Sequence, residues 1–238
     1  MSNLYLKLNI PPACKVDKPI FKKQFYDNVS FNAKDKELFS SVVDKIVWRY
    51  CLKPETINIL PYKDEARDYP EIEVIEVVVK EEKGIRRIAE IIMRSIPYPM
   101  LLVFVLGGKT QLWAAHQRLS QSDSGKNTLE EFITTDWLTD ESPLFAALNV
   151  KAMRFSNYFA LYSDMVDAIS IFNAKQRTGS NAGLTGDAAR QVVAEIDALD
   201  LQIAILRAEL KKETQFNRKV EMNMQIKKLT GERDGLLK

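Results

Sequence analysis

Histidine and cysteine are scarce in this 238-residue chain: one His and two Cys. A single histidine, His116, excludes enzymes that need a pair of histidines or a His-Asn-His set. Beside Trp113 it reads as a structural residue. Ser or Cys chemistry with His116 stays formally open, but no nucleophile elbow accompanies it. Cys14 and Cys51 stand far apart without ligand-like neighbours, which argues against a disulfide framework and against a zinc site. Long apolar runs are missing too. The longest, Met100 to Leu106, is far too short to span a bilayer. The first residues, MSNLYLKLNIPP, lack the basic-then-apolar layout of a signal peptide. The expectation is a cytoplasmic bacterial protein with no membrane partner. An excess of one charge is also absent: 34 basic residues face 32 acidic ones, a net charge of +2. That balance does not point to a strongly basic nucleic-acid binder.

No motif names a reaction, and no cofactor or metal is expected. Gly108-Lys109-Thr110 ends like a phosphate-binding loop, but the loop's first Gly would fall on Val103, inside a strand. Gly125-Lys126-Asn127 lacks both the first Gly, with Ser120 in its place, and the hydroxyl. A restriction-type nuclease would place Glu-x-Lys at the end of a core strand. Val78-Val79-Lys80 has valine where that acid belongs. Glu73 or Glu76, with Glu81 or Glu82, is the remaining candidate set for Mg²⁺; solvated or lysine-paired acids are the plainer reading. The pairs Arg86-Arg87 and Lys22-Lys23 are candidate phosphate contacts that read more simply as solvated faces.

The spacing of apolar residues gives the elements. Residues 18–29 and 32–43 read as two short helices, the second capped by Asn32 with Asp35 three positions on. Ile46, Trp48, Tyr50 and Leu52 alternate with Val47, Arg49, Cys51 and Lys53, the period of a strand. Pro54 ends it, and 56–60 reads as a short second strand. Residues 61–71 are polar and bounded by proline, hence a loop. Ile72 to Val79 is apolar on both faces, as in a sheet covered on both sides. Residues 84–96 carry Ile85, Ile88, Ile92 and Ile96 on one helical stripe. Met100 to Leu106 is a buried strand, and Gly107-Gly108 turns it into a partner over 110–117. Residues 120–128 form a polar loop, 135–141 an irregular stretch around Trp137. Ser142-Pro143 starts a helix, and 156–175 is an amphipathic helix. The fold class is α/β (α+β): a small mixed sheet of about four or five strands with flanking helices.

The far end differs in character. RTGSNAGLTG, 177–186, reads as a linker between a core domain, 1–176, and a C-terminal part, 187–238. Val192, Ile196, Leu199, Ile203, Leu206 and Leu210 follow one another at alternating steps of four and three, the seam of a coiled coil. Beyond Leu210 the phase slips to Phe216, Val220, Met222, Ile226, Leu229 and Leu236. A stutter in one long helix and the apex of a helical hairpin both fit; the absence of Gly and Pro from 187 to 230 favours the long coiled-coil-like helix. Either way the seam needs cover, which a second copy, another protein or the chain's own core could supply. From Ile205 onward nine Lys/Arg stand against five Asp/Glu. Lys211, Lys212, Arg218, Lys219, Lys227 and Lys228 are the candidates for nucleic-acid contact.

Several segments together resemble one family: FKKQFYDN (21–28), LKPETINI (52–59), DYPEIEVIEV (68–77), IAEIIMRSIPYPMLLVF (88–104), FITTDWL (132–138) and KKETQFNRKVEMNMQIKKL (211–229). They are similar to the bacterial domain-of-unknown-function family 4391, and IPYP and KKETQFNRKVEMN are the most specific parts. The resemblance implies a companion of helicases and DNA methyltransferases in restriction-like or anti-phage gene clusters. It carries no catalytic residue. The reading that results is a non-enzymatic accessory subunit docking through its C-terminal helix to itself or to a helicase or methyltransferase partner. The alternatives are a divergent metal-dependent nuclease and a DNA-binding module using the basic tail.

Overall fold

The computed structural model of the chain describes residues 3–28, 32–120, 127–179 and 183–237. They divide into two compact units at Val166/Asp167. The expected loop over 120–128 and the middle of the expected linker fall on 121–126 and 180–182, outside the described residues.

The first unit opens with α1 (Asn3–Leu8), β1 (Lys15–Ile20), α2 (Lys22–Asn28), α3 (Ala33–Val42) and β2 (Val43–Leu52). After α4 (Pro54–Ile57), the small strands β3 (Tyr62–Lys63) and β4 (Asp68–Tyr69) pair with each other. Next come β5 (Ile72–Val79), α5 (Ile85–Ser95), β6 (Met100–Leu106) and β7 (Lys109–Ala114). The strands β8 (Gln117–Leu119), β9 (Asn127–Leu129) and β10 (Ile133–Thr134) follow, then α6 (Leu144–Ala147) and α7 (Tyr158–Thr178).

Six strands form one mixed sheet in the order β1-β2-β5-β6-β7-β10. Only β5 and β6 are parallel, joined through α5; the other neighbours are antiparallel. The small mixed sheet read from the sequence is therefore present, with edge strands at both ends that the apolar pattern does not mark. Residues 18–20, expected as helix, belong to β1, where Pro19 fits because an edge strand has a free N–H side. Residues 54–57 form α4 rather than a strand, since Pro54 suits a helix's first turn and the Thr56 hydroxyl accepts the Lys53 N–H. Part of 61–71 is the β3–β4 hairpin.

Apolar periodicity explains the layers. Ile75, Val77 and Val79 of β5 pack with Leu102 and Phe104 of β6 against Ile88 and Ile92 of α5 and Phe39 of α3. Asn32 caps α3 and Asp35 returns the bond, as expected. On the other face Tyr162 of α7 donates to the Met100 carbonyl and accepts the Ala115 N–H.

The second unit holds the last turns of α7 with α8 (Gly186–Leu210) and α9 (Phe216–Leu236). Helix α8 starts at Thr185, whose hydroxyl accepts the Ala188 N–H. The C-terminal helical region is a hairpin, not one unbroken helix. The break needs no Gly or Pro: Glu213 Oε1 accepts the N–H groups of both Thr214 and Gln215, removing them from the helical ladder.

Candidate functional site

The sheet places a buried carboxyl where sequence alternation hides it. In β2 the register slips between Trp48, opposite Ile75, and Tyr50, opposite Val74, leaving Arg49 as a bulged residue. Strict alternation puts Trp48 and Cys51 on opposite faces. The bulge adds one residue, so both join the face of Glu73 and Ile75. Cys51 lies directly opposite Glu73.

Here a cavity of about 450 Å³ opens, with Glu71 and Glu73 on one side and the rings of Phe25, Trp48 and Tyr98 among its walls. Glu73 is 2% exposed. The Trp48 indole N–H donates to its carboxylate and to the Tyr50 carbonyl. Burial pushes the Glu73 carboxyl up to about 8; the indole bond opposes the rise and the neighbouring Glu71 charge adds to it. The Cys51 thiol lies 3.7 Å from Glu71 Oε2. Burial and the two acids push it well above the usual thiol range. The sulfur and one oxygen from each acid lie within 4.8 Å of one another, so these three residues have the reach to hold a cation.

Glu76 has the opposite fate. Three positions from Glu73 it faces the other side of the sheet, where it accepts from the Tyr5 hydroxyl at 2.7 Å and pairs with Arg49 at 2.7 Å. Arg49 continues to Asp17 at 2.9 Å. Glu81 and Glu82 are exposed beyond the end of β5, an end that itself lies about 20 Å of strand from Glu73. The acids proposed for a nuclease centre are not brought together. Glu71 and Cys51 were missed because one lies outside a strand and the other needs the bulge.

His116, Arg86, Arg87 and Lys22 make contacts within the fold. His116 Nδ1 lies 2.9 Å from the Tyr69 hydroxyl, and its ring packs against Phe159 and Tyr162. Arg87 binds Asp35 with two nitrogens, each at 2.8 Å, and Arg86 stacks over Phe132. Lys22 Nζ donates to the Val43 carbonyl.

In the hairpin, Ile196 and Ile203 of the expected seam are buried, while Val192, Leu199, Leu206 and Leu210 are half-buried. That seam is largely covered inside its own unit. Arg177 of α7 pairs with Asp197, and Arg233 of α9 with Asp200. Other apolar residues remain uncovered: Leu201, Ile205, Phe216, Val220 and Met224 are 42–77% exposed. Leu201 and Ile205 share one face of α8, and Phe216, Val220 and Met224 one face of α9. Between the helices runs a groove of about 360 Å³ lined by Ile205, Leu206, Gln225 and Leu229. Lys211 and Lys212 lie in the turn, Arg218 and Lys219 in the first turn of α9, and Lys227 and Lys228 farther along. Arg218 pairs with Glu213, and Lys228 with Glu232.

The family model described as Domain of unknown function (DUF4391) matches residues 8–232. No curated protein and no solved structure matches the chain.

Proposed function

Starting from the fact that the chain belongs to the DUF4391 family, whose description names no reaction, we propose that it is a non-enzymatic accessory subunit that docks through its α8–α9 hairpin. A second copy of the chain is the first occupant, and a helicase-type partner in a bacterial restriction-like or anti-phage system is the wider setting. The observation that carries this reading is the uncovered set Leu201, Ile205, Phe216, Val220 and Met224. The last turn of α7 is tied to α8 at Asp197. Beyond that point α8 and α9 form a two-helix pair, which covers only one side of each helix. Two such pairs close into a four-helix bundle around a two-fold axis. Each large apolar side chain contributes about 1.5–3 kcal/mol when fully buried, against about 0–1 kcal/mol for an exposed ion pair. Apolar burial therefore decides the assembly.

The test is light scattering on the full chain, alongside Leu201→Asp/Ile205→Asp. Association that the double variant loses while keeping its circular dichroism supports the reading. Association indifferent to both substitutions removes it.

A second reading rests on the turn, where Lys211, Lys212, Arg218 and Lys219 flank Phe216 along the chain, its ring 77% exposed. Basic groups beside an exposed ring suit a single-stranded nucleic acid. It requires affinity that falls steeply with salt; salt-independent binding, or none, excludes it.

A further inference from the structure

Three acids are almost wholly buried among the described residues: Asp35, Glu73 and Glu76. Two have an arginine in place. Arg87 grips Asp35 with two nitrogens, and Arg49 holds Glu76 at 2.7 Å. The same solution recurs at half-buried acids, with Arg67 on Glu130, Arg154 on Asp164 and Arg190 on Asp167. Glu73 is the exception. Its carboxyl has the Trp48 N–H, the Cys51 thiol and a second acid, Glu71, around it, and no Arg or Lys ion-paired with it among the described residues; the exposed Lys18 lines the same cavity without pairing to either acid. A buried carboxyl without a counter-charge is held in its protonated form, and a cation brought beside it favours the ionised one. This one also faces a cavity rather than packed side chains.

We propose that the cavity between α2, β2 and β5 binds a small organic cation, an alkylammonium or guanidinium group on an apolar stem, whose charged head takes the place at Glu71 and Glu73 that arginine fills elsewhere in the fold. The volume, about 450 Å³, lies in the range of small-molecule sites and far exceeds what one metal ion occupies. Its walls divide accordingly. Ile20, Phe25, Ile96 and Tyr98 offer surface for a hydrocarbon stem, and the two carboxyls accept N–H bonds from the head. Aromatic rings favour a cation as well. A lone metal ion is the weaker occupant, because it would leave most of the cavity's apolar wall uncovered.

The test is calorimetric titration of the full chain with n-butylammonium and n-butylguanidinium, with n-butanol as the uncharged control and zinc chloride as the metal. The expected result is saturable binding of at least one cation, at least tenfold tighter than the alcohol, and a tenfold or greater loss in Glu73→Gln. Glu71→Gln gives a smaller loss, and Trp48→Phe, which removes the bond orienting Glu73, a partial one. Circular dichroism checks that each variant is folded. The proposal is overturned if neither cation binds the wild type, if the alcohol binds equally well, if folded Glu73→Gln binds as the wild type does, or if zinc alone binds.

Discussion

Ile203 and Ile205 sit on the same turn of α8 in opposite surroundings: Ile203 is 2% exposed and Ile205 49%. The first belongs to the seam that heptad spacing picks out, which is largely covered within its own unit. The second belongs to a face that remains open. Under the proposed docking, folding of the hairpin rests on the first face and assembly on the second.

Truncating each separates the two roles. Ile203→Ala opens a cavity and is expected to lower unfolding free energy by about 2–5 kcal/mol. Ile205→Ala is expected to change the stability of the isolated chain by roughly 0.5 kcal/mol or less. Urea denaturation followed by circular dichroism measures both at a concentration low enough to keep chains apart. Equal losses would show that Ile203 is not the covered residue.

Two glycines give opposite signs. Gly84 precedes α5 with φ +68°, and a Cβ there would lie 2.6 Å from a Leu38 methyl carbon. Gly84→Ala is expected to cost about 1–3 kcal/mol. Gly231 lies inside α9 with nothing within 4 Å of an added Cβ, so Gly231→Ala is expected to stabilise the hairpin by roughly 0.5–1 kcal/mol. Thermal melting of the two variants reads the contrast.

Glu73 makes stability depend on pH. Its carboxyl ionises near 8 in the folded chain, against 4.5 for an ordinary glutamate. Between those values the folded chain keeps a proton that the unfolded chain has lost. Raising the pH from 4.5 to 8 therefore draws stability down, and the loss levels off above 8. Glu73→Gln keeps an acceptor for the Trp48 indole and removes the titration. Its stability relative to wild type is expected to rise steadily across that window in urea titrations. A constant difference from pH 5 to pH 8 would show that the carboxyl is not held protonated.

Much of this architecture is legible from residue spacing. The double-sided apolar run of β5, the isoleucine stripe of α5 and the Asn32 cap each correspond to one local rule. What escaped depends on contacts remote in sequence. The bulge at Arg49 turns Trp48 and Cys51 to one face and cannot be read from an alternating run. Nor does spacing tell that Glu76 would meet Arg49 while Glu73, three positions away, would pair with no Arg or Lys among the described residues. One visible signal was two acids inside an otherwise apolar strand. The hairpin apex was hidden for a similar reason: Glu213 breaks the helix with its side chain, and no glycine or proline marks the place.

The most direct test of hairpin docking is the mass of the full chain by light scattering over a range of concentrations, beside Leu201→Asp/Ile205→Asp. The expected result is a wild type approaching the mass of two chains and a folded double variant holding at one. A wild type that stays at one chain throughout, and whose co-purification with a helicase-type partner is unaffected by the substitutions, would contradict docking through this face.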